Sequence, residues 1–398
     1  MTHKNMLGMF IHWGVYSPLG LHEQALARYG LDKAEYERAA MSFNPTEYDP
    51  AEWVRLAKEC GMKYICFTAK HHDGFCMWDT KLTDYNVMNT VYGKDVLKML
   101  SDACEKEGIL LSIYYSNPDW HHKNAYNPLS SHQWAAYTEE ADMDAYKEFV
   151  KGQIRELLTG YGRIYSFFWD IPPMLCDPSM NELIRSLQPH VFINDRGWDK
   201  GDFSTPEREF NNEEPTRFPR MTEACNSLGE QSWGYREGED FYSKRHLSCA
   251  IDRIMAKGGS YLLNVGPDGR GVITEEYSKR LLQIGNWYNR MQGALEEHEA
   301  DDFDYKIKTN PCIVTKKCGC SYFHFFKGLY SSSVIMRAFP TLPKTVTLLN
   351  TGAALPFKIE ALPEFFTNDP RGIIKVLHIT SVPVDDLETE AIVIKIEW

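Results

Sequence analysis

The stretch Ser166-Phe-Phe-Trp-Asp-Ile-Pro172 runs from a string of aromatic residues into a single carboxylate, Asp170, and then a proline. Apolar side chains at consecutive positions predict a strand that is buried on both faces. Proline ends such a strand because it cannot donate a hydrogen bond to the ladder. We therefore expect Asp170 at the carboxyl end of a buried strand, although an aspartate that only caps the following turn fits this stretch equally well.

Segments typical of buried strands and of amphipathic helices alternate through most of the chain. The predicted strands lie at 9–16, 64–68, 109–115, 166–172, 191–194, 221–225 and 260–265, and the predicted helices at 31–41, 49–60, 95–107, 132–158, 181–187, 243–257 and 275–291. This alternation predicts parallel strands joined by crossover helices, and its length favours a (β/α)8 TIM barrel over an open sheet. No G-x-G-x-x-G motif follows the first strand, which disfavours a dinucleotide-binding fold.

The character of the sequence changes after residue 297. Short runs rich in β-branched residues, separated by Gly, Pro, Asn and Asp, continue to the C-terminus. Such spacing is typical of an antiparallel β-sandwich. We therefore predict a catalytic barrel over 1–297 and a C-terminal sandwich over 298–398.

The amino-acid composition limits the classes of binding partner that we expect. A net charge of -12 argues against nucleic acid, which calls for a basic surface. The N-terminus lacks a signal-peptide pattern and no window approaches 18 apolar residues, so we expect a cytoplasmic protein with no membrane partner. Among the ten cysteines only Cys318 and Cys320 are close, and their spacing is not that of the usual zinc or redox motifs. Composition leaves the oligomeric state open.

Polar side chains stand at the ends of six predicted strands. They are His12, His71, His72, Tyr115, Asp170, Arg196 and Asn264. In a barrel of parallel strands the carboxyl ends share one rim, and that rim holds the active site. We therefore expect these side chains to face a common pocket.

Metal and serine chemistry find little support in these residues. Adjacent residues at a strand end tend to point to opposite sides, so His71 and His72 are poorly placed to share a metal, and His12 stands alone on the first strand. No G-x-S-x-G motif follows a strand. Carboxylate chemistry remains, with Asp170 as a nucleophile kept charged by Arg196, and neither a metal nor a cofactor is expected.

Hydrolysis of a glycoside requires a second carboxyl group that protonates the leaving oxygen, about 5 Å from the first in a retaining enzyme. The region after the fifth strand offers Glu207, Glu209, Glu213, Glu214 and Glu223. Glu207 follows a proline that restrains the chain, and Glu223 lies on a predicted short strand. The residues themselves do not decide between these two.

The chain resembles the glycoside hydrolase family 29 α-L-fucosidases. The matching blocks are Phe10-Ile-His-Trp-Gly14, Ala69-Lys-His-His-Asp-Gly-Phe75, Tyr114-Tyr-Ser-Asn-Pro-Asp-Trp120, Phe168-Trp-Asp170, Ile193-Asn-Asp-Arg196, Thr205-Pro-Glu207, Ser232-Trp-Gly-Tyr235 and Asn264-Val-Gly-Pro-Asp-Gly269. They occur in the family's order over nearly the whole chain. The family's fold is a (β/α)8-like barrel followed by a β-sandwich, as predicted above.

The resemblance implies a retaining exo-α-L-fucosidase that acts on fucosylated oligosaccharides or glycoconjugates through a covalent intermediate on Asp170. It implies Glu207 as acid/base, with Glu223 second and Glu214 third. The residues that it implies for substrate binding are His12, Glu23, His71, His72, Tyr115, Trp169, Arg196 and Trp233. A fucose-binding protein without turnover and a metal-dependent barrel hydrolase are the alternatives.

The chain departs from the family pattern at two points. Ile171 follows the nucleophile where many members have glycine, and Gln24 follows Glu23 where many have tryptophan. Both positions belong to the rim of the predicted pocket. These departures bear on the leaving-group side and on linkage preference more than on the reaction.

Overall fold

A computed structural model of the chain describes residues 5–208, 217–301, 305, 311–338, 341–363 and 373–398. Its first seven strands are β1 (Leu7–Ile11), β2 (Tyr64–Lys70), β3 (Leu110–Ser116), β4 (Ile164–Asp170), β5 (Phe192–Ile193), β6 (Glu223–Ser227) and β7 (Ser260–Val265). They form one parallel sheet in the order β5-β4-β3-β2-β1-β7-β6. The curled parallel sheet confirms the prediction of a barrel-like fold.

An irregular segment occupies the position between β5 and β6, where an eighth strand would close the barrel. Isolated parallel bridges join Asn194 to Phe203, Ser204 to Thr222 and Glu207 to Cys225. The segment therefore contacts β5 at its start and β6 at its end. We call residues 203–207 the closing segment.

Eight helices accompany the strands in the described part of the chain. They are α1 (Ala25–Arg28), α2 (Lys33–Ala40), α3 (Pro50–Glu59), α4 (Val96–Glu107), α5 (Met143–Gly160), α6 (Ser179–Leu187), α7 (Lys244–Ala256) and α8 (Glu275–Leu295). Of the described helices, none is long and apolar enough to cross a membrane.

The helix predicted over 132–158 begins later than expected. Helix α5 starts at Met143, where the side chain of Asp142 accepts hydrogen bonds from the backbone N–H groups of Asp144 and Ala145 and so caps the first turn. His132 and Glu140 both have positive φ, which a helix does not allow. Residues 117–142 therefore form a long loop over the carboxyl ends of the strands.

Alternation along β4 explains why its sequence is apolar on both faces. Phe168 packs inside the barrel against Phe10 and Tyr114. Phe167 and Trp169 belong to the larger core between the sheet and the helices. Because side chains alternate along a strand, Asp170 points in the same direction as Phe168, into the barrel mouth.

The C-terminal part contains two antiparallel sheets, as predicted. Its strands are β8 (Glu299–Ala300), β9 (Ile313–Lys317), β10 (Cys320–Phe325), β11 (Val334–Arg337), β12 (Thr345–Leu348), β13 (Ala353–Ala354), β14 (Phe357–Pro363), β15 (Ile373–Ile379) and β16 (Ile392–Glu397). One sheet has the order β13-β12-β16-β10-β9-β8 and the other β11-β15-β14. A separate apolar core, which includes Phe323, Leu348 and Leu377, fills the space inside this part.

A buried hydrogen-bonded pair ties this part to the barrel. Nδ1 of His324 on β10 lies 2.8 Å from Oδ1 of Asp252 on α7, and both side chains are fully buried. Removing one partner leaves the other buried without its hydrogen bond. We expect Asp252→Ala to lower the free energy of unfolding by about 2 kcal/mol, measured by urea denaturation.

The exposed pair of Lys358 and Glu360 provides the control for that measurement. Their charged atoms are 2.9 Å apart and the lysine side chain is 58% exposed. Exposed pairs contribute little, so Lys358→Ala should cost less than about 0.5 kcal/mol. Equal losses in the two variants would show that the buried pair has no special role.

Candidate active site

A small pocket opens at the carboxyl ends of the barrel strands, with a cavity volume of about 150 Å³. It is lined by Phe10, His12, Glu23, Gln24, His71, His72, Tyr114, His132, Phe168, Asp170, Ile171, Arg196, Glu207, Cys225 and Trp233. Two larger cavities, of about 750 and 970 Å³, contain neither Asp170 nor Glu207. The small pocket is therefore the one that contains both predicted catalytic residues, Asp170 and Glu207.

Asp170 lies at the base of this pocket, at the end of β4. Oδ2 accepts a hydrogen bond from the Tyr114 hydroxyl at 2.7 Å, and Oδ1 accepts one from Nη1 of Arg196 at 3.1 Å. Burial alone would raise the pKa of Asp170, but Arg196, His72 and the Tyr114 hydrogen bond hold it below its ordinary value. The carboxylate is therefore ionised at neutral pH and available as a nucleophile.

Arg196 brings the second carboxylate to the first. Nη1 of Arg196 is 3.1 Å from Asp170 Oδ1 and 2.8 Å from Glu207 Oε2. Since one nitrogen contacts both oxygens, these oxygens lie no more than about 6 Å apart, which agrees with the separation of about 5 Å in a retaining glycosidase. The side chain of Glu207 is 38% exposed, so it stands on the solvent side of the pocket.

The closing segment positions Glu207. Its backbone is held against β6, since the N–H of Cys225 donates to the carbonyl of Pro206 at 3.0 Å and the N–H of Arg208 donates to the carbonyl of Cys225 at 3.1 Å. Thr205 accepts a hydrogen bond from Nε of Arg196 at 2.9 Å. The segment and the arginine that contacts both carboxylates are thus fixed together.

The second choice for the acid, Glu223, is far from the pocket. It is the first residue of β6, at the amino end of the sheet, where Tyr64 of β2 donates a hydrogen bond to its Oε2 at 2.6 Å. Burial raises the pKa of Glu223 to about 7. The prediction of Glu223 as an alternative acid/base is wrong, because active sites lie at the opposite end of the strands. The third choice, Glu214, lies outside the described residues.

Three neutral imidazoles form one wall of the pocket. His12 Nδ1 is 2.7 Å from Asn264 Oδ1, and His72 Nδ1 is 2.6 Å from Ser116 Oγ. Burial lowers the pKa of both His12 and His72 to about 4, and it lowers the pKa of His71 well below its ordinary value. Neutral rings suit hydrogen bonding to hydroxyl groups, and in His12 and His72 one ring nitrogen is already engaged.

His71 and His72 correct an expectation about direction. The rings were expected on opposite sides, but both line the pocket with centroids 4.2 Å apart. Strand β2 ends at Lys70, so the alternation of a strand no longer governs the next two residues.

Glu23 supports the pocket wall that carries Trp233. Its Oε2 accepts hydrogen bonds from Ser232 Oγ at 2.8 Å, from the Trp233 N–H at 2.9 Å and from the Gly234 N–H at 3.2 Å. Burial would raise its pKa, but His22, His12 and the Ser232 hydrogen bond lower it. Glu23 therefore stays charged and fixes the loop that presents the Trp233 ring beside His12.

Two predicted substrate contacts, Tyr115 and Trp169, lie outside the pocket. Tyr115 donates to Gln153 Oε1 at 2.6 Å, and Nε1 of Trp169 donates to Asn181 Oδ1 at 2.9 Å, so both side chains face the surrounding helices. These two predictions are wrong because each residue was taken one position out of phase with the strand's inward face.

Tyr114 occupies the place predicted for its neighbour. It pairs with Phe168 across the sheet, and Phe168 faces inward, so the register carried the signal that was missed. The other pocket residues that the sequence analysis did not select are Phe10, His132, Phe168 and Cys225, while Gln24 and Ile171 were noted only as departures from the family pattern. His132 belongs to the loop that was mistaken for helix.

The Tyr114 hydrogen bond has a consequence for pH dependence. Tyr114→Phe removes a contact that lowers the pKa of Asp170, so that pKa should rise. If Asp170 is the nucleophile, it must be ionised to react, and the acid limb of kcat/KM should move to higher pH. We also expect kcat/KM to fall about tenfold at neutral pH, since a hydrogen bond to a charged group is lost.

Tyr115→Phe is the matched control, as its hydroxyl contacts Gln153 and not Asp170. Its acid limb should coincide with that of the unmodified protein. An acid limb that moves equally in both variants would contradict the assigned role of Tyr114.

The chain is similar in sequence to known proteins. A family model described as Alpha-L-fucosidase matches residues 3–292. The Alpha-L-fucosidase of Dictyostelium discoideum is 28% identical over 323 residues, which are 70% of this chain and 67% of the relative. The chain thus spans about two thirds of this curated relative's length.

Solved structures extend the similarity through the C-terminal part. Alpha-L-fucosidase isoenzyme 1 from Paenibacillus thiaminolyticus superimposes with a TM-score of 0.81 at 29% identity, covering 98% of this chain and 96% of its own. An alpha-L-fucosidase from Bacteroides thetaiotaomicron, solved as a trapped covalent intermediate with 2-fluoro-fucosyl fluoride in a glutamate-to-glutamine mutant, gives 0.77 at 25% identity and covers 99% and 94%.

Proposed function

The chain belongs to the α-L-fucosidase family of glycoside hydrolases, and from this premise we propose that it releases terminal α-L-fucose from fucosylated glycans with retention of configuration. The observation that carries the proposal is the contact of one guanidinium nitrogen, Arg196 Nη1, with both Asp170 and Glu207. This contact limits the nearest oxygens of the two carboxyl groups to about 6 Å, and it supports double displacement, for which the two groups stand about 5 Å apart. The related enzyme trapped with a fucosyl group supports the choice of sugar.

In the first step Asp170 attacks the anomeric carbon of the fucosyl group. A bond forms between the carboxylate oxygen and that carbon while the glycosidic C–O bond breaks. Glu207 gives its proton to the departing oxygen, so the leaving group departs as a neutral alcohol. The product of this step is a fucosyl ester of Asp170 and an ionised Glu207.

In the second step Glu207 takes a proton from water. The water oxygen bonds to the anomeric carbon and the ester bond to Asp170 breaks, which restores both carboxyl groups. Arg196 contacts both carboxyl groups, so it can hold Glu207 beside Asp170 through both steps.

The pocket is suited to one terminal sugar. Its volume is about 150 Å³, and His12, His71 and His72 present neutral nitrogens to the hydroxyl groups. Trp233 lies against His12, with ring centroids 5.3 Å apart, and offers an apolar surface to the sugar. An exo mode of action follows from this enclosure.

We also propose that the catalytic unit is 1–297 and that 298–398 support it. Every pocket residue lies at or before Trp233. The sandwich strands contact α7 through the pair of Asp252 and His324, and Nε1 of Trp287 in α8 donates to the carbonyl of Ala391 at 3.3 Å.

Hydrolysis of an aryl α-L-fucoside followed by proton NMR tests the activity. We expect release of the phenol with α-L-fucose as the first anomer observed. The β-anomer as first product would rule out retention. Binding of fucose without phenol release would favour a binding protein instead, and loss of activity on exhaustive chelation would favour a metal-dependent hydrolase.

A further inference from the structure

The loop over 117–142 places an exposed tryptophan at the mouth of the pocket. Trp134 is 60% exposed, and its ring lies 4.8 Å from that of His132, which lines the pocket. The His132 ring is in turn 5.6 Å from that of His72. His132 therefore contacts both the pocket residue His72 and the exposed indole of Trp134.

This part of the loop is held in place by specific contacts. Nε1 of Trp120 donates to the carbonyl of His132 at 2.8 Å. Asn127 Nδ2 donates to the carbonyl of Pro173 at 2.7 Å, and Ser130 Oγ donates to the carbonyl of Pro172 at 2.9 Å. The loop is thus anchored to the segment that follows the nucleophile strand.

A second anchor fixes the indole itself. The Arg28 guanidinium lies over the Trp134 ring, 5.5 Å from its centroid, and Nε of Arg28 donates to Oε1 of the pocket residue Gln24 at 2.9 Å. The cation covers one face of the ring. The exposure of Trp134 leaves its other surface available to a ligand.

We propose that Trp134 is the platform for the first sugar of the leaving group, and this inference rests on the proposed function. A large aromatic surface exposed to water costs free energy unless a ligand covers it, and the apolar face of a pyranose fits a flat ring. The ligand class is a neutral pyranose joined to the fucose being released.

The distances agree with that assignment. His72 Nε2 is 3.9 Å from Asp170 Oδ2. The contacts of the His132 ring with the rings of His72 and Trp134 place Trp134 within about 10 Å of the His72 ring. About three residues of extended chain would span that distance. The pocket holds a single sugar, so the next sugar must lie at its mouth. On this loop His132 lines the pocket and Trp134 is the exposed ring beside it.

The test compares Trp134→Ala with two substrates. α-L-Fucosyl fluoride has a leaving group that cannot stack, while a fucosyl disaccharide, chosen as the linkage that the unmodified protein hydrolyses best, offers a pyranose. We expect the ratio of kcat/KM for the disaccharide to that for the fluoride to fall about tenfold, from loss of stacking and buried area. Trp134→Phe should restore most of this ratio.

Tyr137→Ala is the matched control, since Tyr137 is an exposed aromatic residue on the same loop and is also covered by a cation, Lys33. Its ratio should equal that of the unmodified protein. An unchanged ratio in Trp134→Ala, or the same fall in Tyr137→Ala, would overturn the proposal for Trp134 while leaving the fluoride activity as proof of the general function. Absence of activity on both substrates in the unmodified protein would overturn both proposals.

Discussion

Replacing Asp170 by alanine should reduce hydrolysis of an aryl α-L-fucoside by roughly 10⁴-fold or more, the scale expected when a covalent nucleophile is lost. The side chain ends a buried strand and is oriented by Tyr114 and Arg196. No other described carboxylate that lines the pocket reaches Tyr114, so none replaces it in this position. The measurement is kcat on purified protein, with circular dichroism to check that the fold is retained.

Azide makes this experiment more specific. In Asp170→Ala a small anion can enter the space left by the carboxylate and attack from the same side. The product should then be β-L-fucosyl azide, because only one displacement occurs. Activity near that of the unmodified protein, or an azide product of α configuration, would exclude Asp170 as the nucleophile.

Glu207→Ala should have an effect that depends on the leaving group. Departure of a poor leaving group needs protonation, so its rate should fall by about 10²–10⁴-fold, whereas an activated aryl fucoside should lose much less in the first step. Azide should accelerate turnover of the activated substrate, because the anion attacks the ester without a general base. The azide product should keep the α configuration, the opposite of the Asp170 variant.

Glu223→Gln is the matched control for the acid. The glutamine side chain keeps an oxygen that can accept the hydrogen bond from the Tyr64 hydroxyl at the amino end of the barrel. Hydrolysis should show no dependence on leaving group and no response to azide. The same pattern in Glu223→Gln as in Glu207→Ala would mean that the pocket geometry described above does not identify the acid.

The barrel was predictable because its strands carry a strong local signal. Apolar runs such as the one that ends in Asp170 are separated by helices with clear starts, for example Pro50 after the capping residue Asp49. Antiparallel strands after residue 297 were equally marked by short β-branched runs. The matching blocks of sequence predicted the family, and the family model that matches residues 3–292 confirms it.

The predictions from sequence are wrong where the direction of a side chain or the path of a loop determines which residues reach the pocket. Tyr114 and Tyr115 are identical side chains, and only the register with β4 shows which one faces Asp170. Loop 117–142 contains helix-forming residues, but tertiary contacts such as that of Trp120 with the carbonyl of His132 hold it open. Such long-range contacts leave no periodic pattern in the sequence.

The position of Glu207 on the closing segment indicates how this enzyme can change its preference for leaving groups and acceptors. Asp170, the proposed nucleophile, belongs to a continuous strand that pairs with β3 on one side and β5 on the other, but Glu207 lies on a segment that isolated bridges attach to β5 and β6. Insertions or substitutions in the closing segment can therefore move the proposed proton donor without disturbing the strands that line the pocket. Laboratory evolution aimed at new leaving groups, or at transfer to other acceptors, should find its tolerated changes in residues 203–207 sooner than in β4.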